Sequence, residues 1–77
     1  MRYEYDTDAD AIYIYLSDKG YAFGEDLGRE RRVDYAADRT PVGVELTCVS
    51  HGVDLSDLPA REEISELLAT LNIKVYA

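Results

Sequence analysis

The sequence predicts an α+β fold, a four-stranded antiparallel β-meander with a C-terminal amphipathic helix packed on one face. Three observations point there. Residues 2–16 carry the alternation and the β-branched and aromatic side chains of a strand pair. Segments 29–35 and 41–49 repeat the period of two. From Ile64 onward the apolar period lengthens to that of a helix.

The elements follow in order. In residues 2–6, Tyr3 and Tyr5 share one face, and Arg2, Glu4 and Asp6 share the other. The run Ala11-Ile12-Tyr13-Ile14-Tyr15-Leu16 is apolar or aromatic throughout, as expected of a central strand covered on both faces. Between them, Thr7-Asp8-Ala9-Asp10 reads as a turn, because Asp side chains hydrogen-bond their own backbone. Pairing Tyr5 with Ile12 and Tyr3 with Ile14 keeps the apolar side chains on one face. Ser17 to Gly28, with three glycines and four charges, reads as a polar loop or irregular crossing. Ala36 to Thr40 joins the last two strands, and on the second of them Val42, Val44, Leu46 and Cys48 share the face to be covered. A helix over 57–72 buries Ile64, Leu67, Leu68 and Leu71. Asp57 is its expected cap, Pro59 suits the first turn, Glu62 and Glu63 complement the helix dipole, and Asn72 is the expected stop. The tail Ile73-Lys74-Val75-Tyr76 is expected to add a short edge strand or to dock on the body. One domain over 1–77 is expected, with the sheet in about residues 2–50.

Chain length then bears on assembly. A chain of 77 residues buries only about 60% of the surface its unfolded form exposes. One cysteine, Cys48, excludes an internal disulfide, and one Cys with one His cannot hold zinc. Self-association, as a homodimer, is the expected remaining source of stability. Met1 to Asp6 has no apolar signal-peptide core and no apolar run approaches a bilayer span, so a cytoplasmic protein without membrane contact is expected.

Sixteen acidic against eight basic residues leave a net charge of −8. Arg29, Arg31 and Arg32 form the one basic cluster, but the surrounding field repels a polyanion, so no nucleic-acid partner is expected. Pairing of Arg32 with Glu45 or Asp34 accounts for it instead. A basic protein is the partner such a surface suits.

Three segments resemble the domain-of-unknown-function 2283 family: Tyr5-Asp6-Thr7-Asp8-Ala9-Asp10-Ala11-Ile12-Tyr13-Ile14, then Val33-Asp34-Tyr35, then Val42-Gly43-Val44-Glu45-Leu46. Their order and spacing cover about residues 2–50. The family places a Gly in the turn between its last two strands, where this chain has Asp38-Arg39-Thr40-Pro41, so a different turn is expected. The resemblance implies a small, mostly bacterial and archaeal protein of sheet-plus-helix fold with no assigned activity, some of whose members neighbour toxin-like genes. The helix beyond Gly52 is less widely shared.

Asp6, Asp8 and Asp10 imitate the start of a calcium loop and are weak candidate ligands. Its sixth position is Ala11 where Gly is needed and its twelfth is Ser17 where Glu is needed, so turn formation is expected and no metal or other cofactor. Cys48, Ser50 and His51 bring nucleophile and base types together, yet with no nucleophile elbow and Cys48 on an apolar face no catalytic group is expected. The face opposite the helix is the expected binding site: Tyr13, Tyr15, Arg32, Asp34, Gly43 and Glu45, with Thr47 beside them. Tyr13 and Tyr15 there suit contact with a second copy or a partner, or lie over Gly43 within one chain. The first functional expectation is therefore a non-enzymatic, dimeric binding module acting through a protein partner. Two alternatives stand beside it: an antitoxin-like neutraliser of a small basic toxin, and a small enzyme or metal or ligand site built from Asp34, Glu45 and Tyr13.

Overall fold

The computed structural model describes residues 1–76. Strands β1 (Tyr3–Asp6) and β2 (Ala11–Tyr15) form the expected hairpin, with Tyr3 opposite Ile14 and Tyr5 opposite Ile12. The Asp6 carboxylate closes the turn by accepting the N–H groups of Asp8 and Ala9, both at 3.0 Å.

The sheet has five strands, not four. Phe23–Asp26, expected to be loop, is strand β3, paired antiparallel with β4 (Arg31–Tyr35). Two of its four residues are acidic and one is Gly, so it owes its conformation to the ladder of β4 rather than to propensity. The meander is corrected as well. The order is β1-β2-β5-β4-β3, where β5 is Pro41–Thr47. After β2 the chain crosses to the far edge, and β4 and β5 return inward until β5 fills the centre. Burial favours this order, because Val42, Val44 and Leu46 of β5 are then walled by β2 on one side and β4 on the other.

The β4–β5 turn does depart from a glycine turn. Arg39 adopts the left-handed conformation (φ 70°), while Asp38 accepts the Thr40 N–H and, with Thr40, receives Lys19 from the crossing loop. Strand β5 ends at Thr47 rather than at residue 49. Cys48 turns left-handed (φ 55°) and leaves the buried face, and Val49–His51 form a 3₁₀ turn with Val49 buried.

The helix α1 is Arg61–Thr70, shorter at its start than 57–72. Asp57 lies in the preceding turn with φ 64°, and the cap position is Ala60, which lends no side-chain bond. Its far end matches expectation. Asn72 is left-handed (φ 59°), and the N–H groups of Asn72 and Ile73 bond the carbonyls of Ala69 and Leu68 in the pattern that seals helix ends around a buried apolar residue, here Ile73. Ile64 and Leu68 are 0% exposed against the sheet, and Leu67 and Leu71 flank them, half-buried. The tail adds no strand to the sheet. β7 (Val75–Tyr76) pairs in parallel with β6 (Val53–Asp54), bracketing the helix. Arg31 fastens this pair to the sheet by donating to the carbonyls of Asp54 (3.0 Å) and Ser56 (2.5 Å).

Candidate binding face of the sheet

Alternation along the strands puts two rows of side chains on the face that the helix leaves open. In register across the sheet they run Glu4, Tyr13, Glu45, Arg32, Asp26 and then Tyr15, Gly43, Asp34, Gly24. All six residues expected at a binding site therefore share this face.

The rows are welded by a network centred on Asp34. Its Oδ2 accepts the Tyr13 hydroxyl at 2.7 Å and its Oδ1 accepts Arg32 Nε at 3.2 Å. Arg32 donates further to Asp26 (3.1 Å) and to the Tyr21 hydroxyl (3.3 Å). Two glycines permit this flat arrangement. A Cβ on Gly43 would overlap the Tyr13 phenol, and a Cβ on Gly24 would overlap the Arg32 guanidinium. Tyr15 meets Tyr13 edge to face, with ring centroids 4.9 Å apart, and Arg2 lies 4.0 Å above the Tyr15 ring.

Electrostatics hold the network in one protonation state. Burial, and then the hydrogen bond to the Asp34 carboxylate, push the Tyr13 phenol well above the ordinary tyrosine value, so it stays a neutral donor. Asp26, and after it Tyr21, hold the Arg32 guanidinium firmly charged. Of the two partners expected for Arg32, Asp34 is engaged and Glu45 is not. Glu45 is exposed, between Tyr13 and Arg32, and makes no ion pair among the described residues.

The basic cluster is dispersed. Arg32 lies on the open face, Arg31 on the opposite face as a clamp, and Arg29 on the exposed connecting turn. A groove of about 360 Å³ beside the clamp is lined by Arg29, Glu30, Arg31, Asp54 and Tyr76 among others, away from the Tyr13 network.

Two of the three carboxylates of the acidic turn are engaged within the chain, and Asp8 contributes only its N–H, to Asp6. Asp6 shapes the turn, and Asp10 accepts the Ser50 N–H (2.9 Å) and hydroxyl (2.7 Å), tying the hairpin to the 3₁₀ turn. Among the described residues no three His, Cys, Asp or Glu side chains are grouped to hold a metal. Cys48 is half-buried rather than on the strand's apolar face. Burial, and then Glu30, raise its thiol above the usual range, which disfavours the reactive thiolate. His51 is exposed and Ser50 is committed to Asp10.

Sequence reasoning missed Tyr21, Gly24 and Asp26, which join the face through β3 or the loop before it. The alternation of Gly24 and Asp26 with Phe23 and Glu25 was the available signal.

Fold and face together define an α+β protein whose five-stranded antiparallel sheet is covered by a helix on one side and carries a Tyr–Asp–Arg network on the other. The chain belongs to the family described as "Protein of unknown function (DUF2283)", whose profile matches residues 2–50. That span holds all five strands of the sheet and leaves α1, β6 and β7 beyond it. No curated protein and no solved structure matches the chain significantly. No helix among the described residues is long and apolar enough to cross a membrane.

Proposed function

We propose that the chain is a non-enzymatic, homodimeric binding module of the cytoplasm whose open sheet face docks a basic protein partner. The observation that supports it is the charge balance of a pre-ordered surface. Arg32 is spent on Asp34 and Asp26, which leaves Glu45 as acidic surplus beside the ring of Tyr13. A rigid aromatic platform with an unpaired carboxylate and an acidic surrounding field suits a cationic ligand and speeds its encounter. An enzyme or small-ligand site at Asp34, Glu45 and Tyr13 has weaker support, since the face is open and Tyr13 retains its proton. The test is affinity capture from the native cell at low salt with the wild-type chain and with Glu45→Arg. A basic protein retained by the first and released by the second supports the reading; equal retention by both defeats it. The net charge of −8 supports a narrower form in which that partner is a small basic toxin. Relief of growth arrest on co-expression with a neighbouring basic reading frame checks it.

A further inference from the structure

The sheet ends in two unpaired edges, β1 and β3. Edges are the places where another strand can add. On β1 the Tyr15 N–H donates to the Arg2 carbonyl (2.9 Å), so Arg2 and Glu4 direct their backbone groups into the sheet while Tyr3 and Tyr5 direct theirs outward. The side chains beside this edge are exposed and apolar on the helix side. Met1 is 54% exposed and Tyr3 39%, next to a cleft of about 280 Å³ lined by Met1, Leu67 and Thr70 together with Glu63 and Glu66.

We propose that a second copy of this chain pairs antiparallel along β1, Tyr3 opposite Tyr3, to give a continuous ten-stranded sheet. Charge complementarity selects the occupant and the register. With Tyr3 on the two-fold axis, Arg2 of each copy stands opposite Glu4 of the other, and Met1 stands opposite Tyr5, so the segment Met1-Arg2-Tyr3-Glu4-Tyr5 complements itself. Moving the axis one residue pair, to Glu4, would set two carboxylates against each other. The other edge lacks this property: Phe23-Gly24-Glu25-Asp26 carries two acids and no base, so two copies of β3 repel. The axis is perpendicular to the sheet, which places both Tyr13–Asp34–Arg32 networks on one side as a doubled platform. This inference rests on the dimeric part of the proposed function and names where the dimer forms. An interface of a few residue pairs falls in the weak, reversible class.

Sedimentation equilibrium over micromolar to millimolar concentrations reads it out, with folding of each variant checked by amide NMR. The wild-type chain is expected to reach twice its 8.7 kDa mass. Glu4→Arg, which opposes Arg2 to an arginine twice, should weaken the dimer more than about tenfold, and adding Arg2→Glu should restore it to within about threefold. Tyr3→Pro removes an outward N–H that the monomer leaves unbonded and should also give monomer. The proposal is overturned by a wild-type chain that stays at 8.7 kDa throughout, by a dimer that survives Glu4→Arg, or by a double exchange that fails to restore. A dimer lost with Glu45→Arg but kept with Glu4→Arg would move the contact to the open face, defeating the edge while leaving the dimeric reading intact.

Discussion

On the helix side of the sheet Ile12, Ile14, Val33, Val44 and Leu46 are each 1% exposed or less, with Ile64 and Leu68 laid over them. On the open side the same strands carry half-buried tyrosines, an arginine and carboxylates linked by hydrogen bonds of 2.7 to 3.2 Å. The first face is held by non-directional burial, which rewards area and tolerates rearrangement. The second is held by directional bonds in a thin aromatic layer, where one misplaced atom displaces its neighbours. The two faces should therefore fail differently.

The largest loss is expected on the covered side. Leu68→Ala removes a side chain that is 0% exposed and should cost about 3 kcal/mol. A domain of this size has about 3–5 kcal/mol in hand, so urea denaturation should find the variant with at most about 2 kcal/mol left and a measurable unfolded fraction in water. Next comes Gly43→Val on the open side, where the new side chain meets the Tyr13 phenol and should cost about 1–3 kcal/mol. The mechanism is tested by a cycle with Tyr13→Ala. The double variant should be more stable than the sum of the two single losses predicts, and strict additivity would break the account.

Tyr13→Phe keeps the ring and removes only the bond to Asp34, for an expected loss of about 1 kcal/mol by the same denaturation. It also carries a pH signature. The folded state holds the Tyr13 proton more tightly than the unfolded chain does, so its contribution is complete below the ordinary tyrosine value of 10.0 and fades as pH rises through and beyond it. Wild type should lose stability in that alkaline range more steeply than Tyr13→Phe does; equal slopes would place the cause elsewhere. The smallest stability effect is expected for Glu45→Gln, which removes the charge of an exposed side chain without setting a second cation opposite Arg32. Its denaturation midpoint should match wild type while partner capture weakens, which separates the binding role of the open face from its structural one.

Much of the open face could be read before any coordinates. The period of two places Tyr3, Tyr5, Ile12 and Ile14 on one face, and the pairing of Tyr5 with Ile12 is one register that keeps them there, while Gly43 marks the place where a Tyr ring comes close. The choice of Asp34 over Glu45 for Arg32 was less legible. Glu45 stands directly opposite Arg32 and Asp34 two residues along its own strand, and the decision falls to Gly24, whose missing Cβ lets the guanidinium lie toward Asp26 and Asp34. Asp57 failed as a cap because its own residue turns left-handed before the helix begins.

Local periodicity was enough to specify the α+β class, the β1–β2 hairpin, the apolar stripe of α1 and its Asn72 stop, because each depends on side chains a few residues apart. Strand order, the recruitment of β3, and the parallel β6–β7 clasp held by Arg31 were settled only in three dimensions. The crossing loop after β2 is long enough to reach either neighbour, so the outcome follows from which placement buries β5 on both sides. That energy belongs to contacts between segments distant in the chain, and no stretch of local sequence contains it.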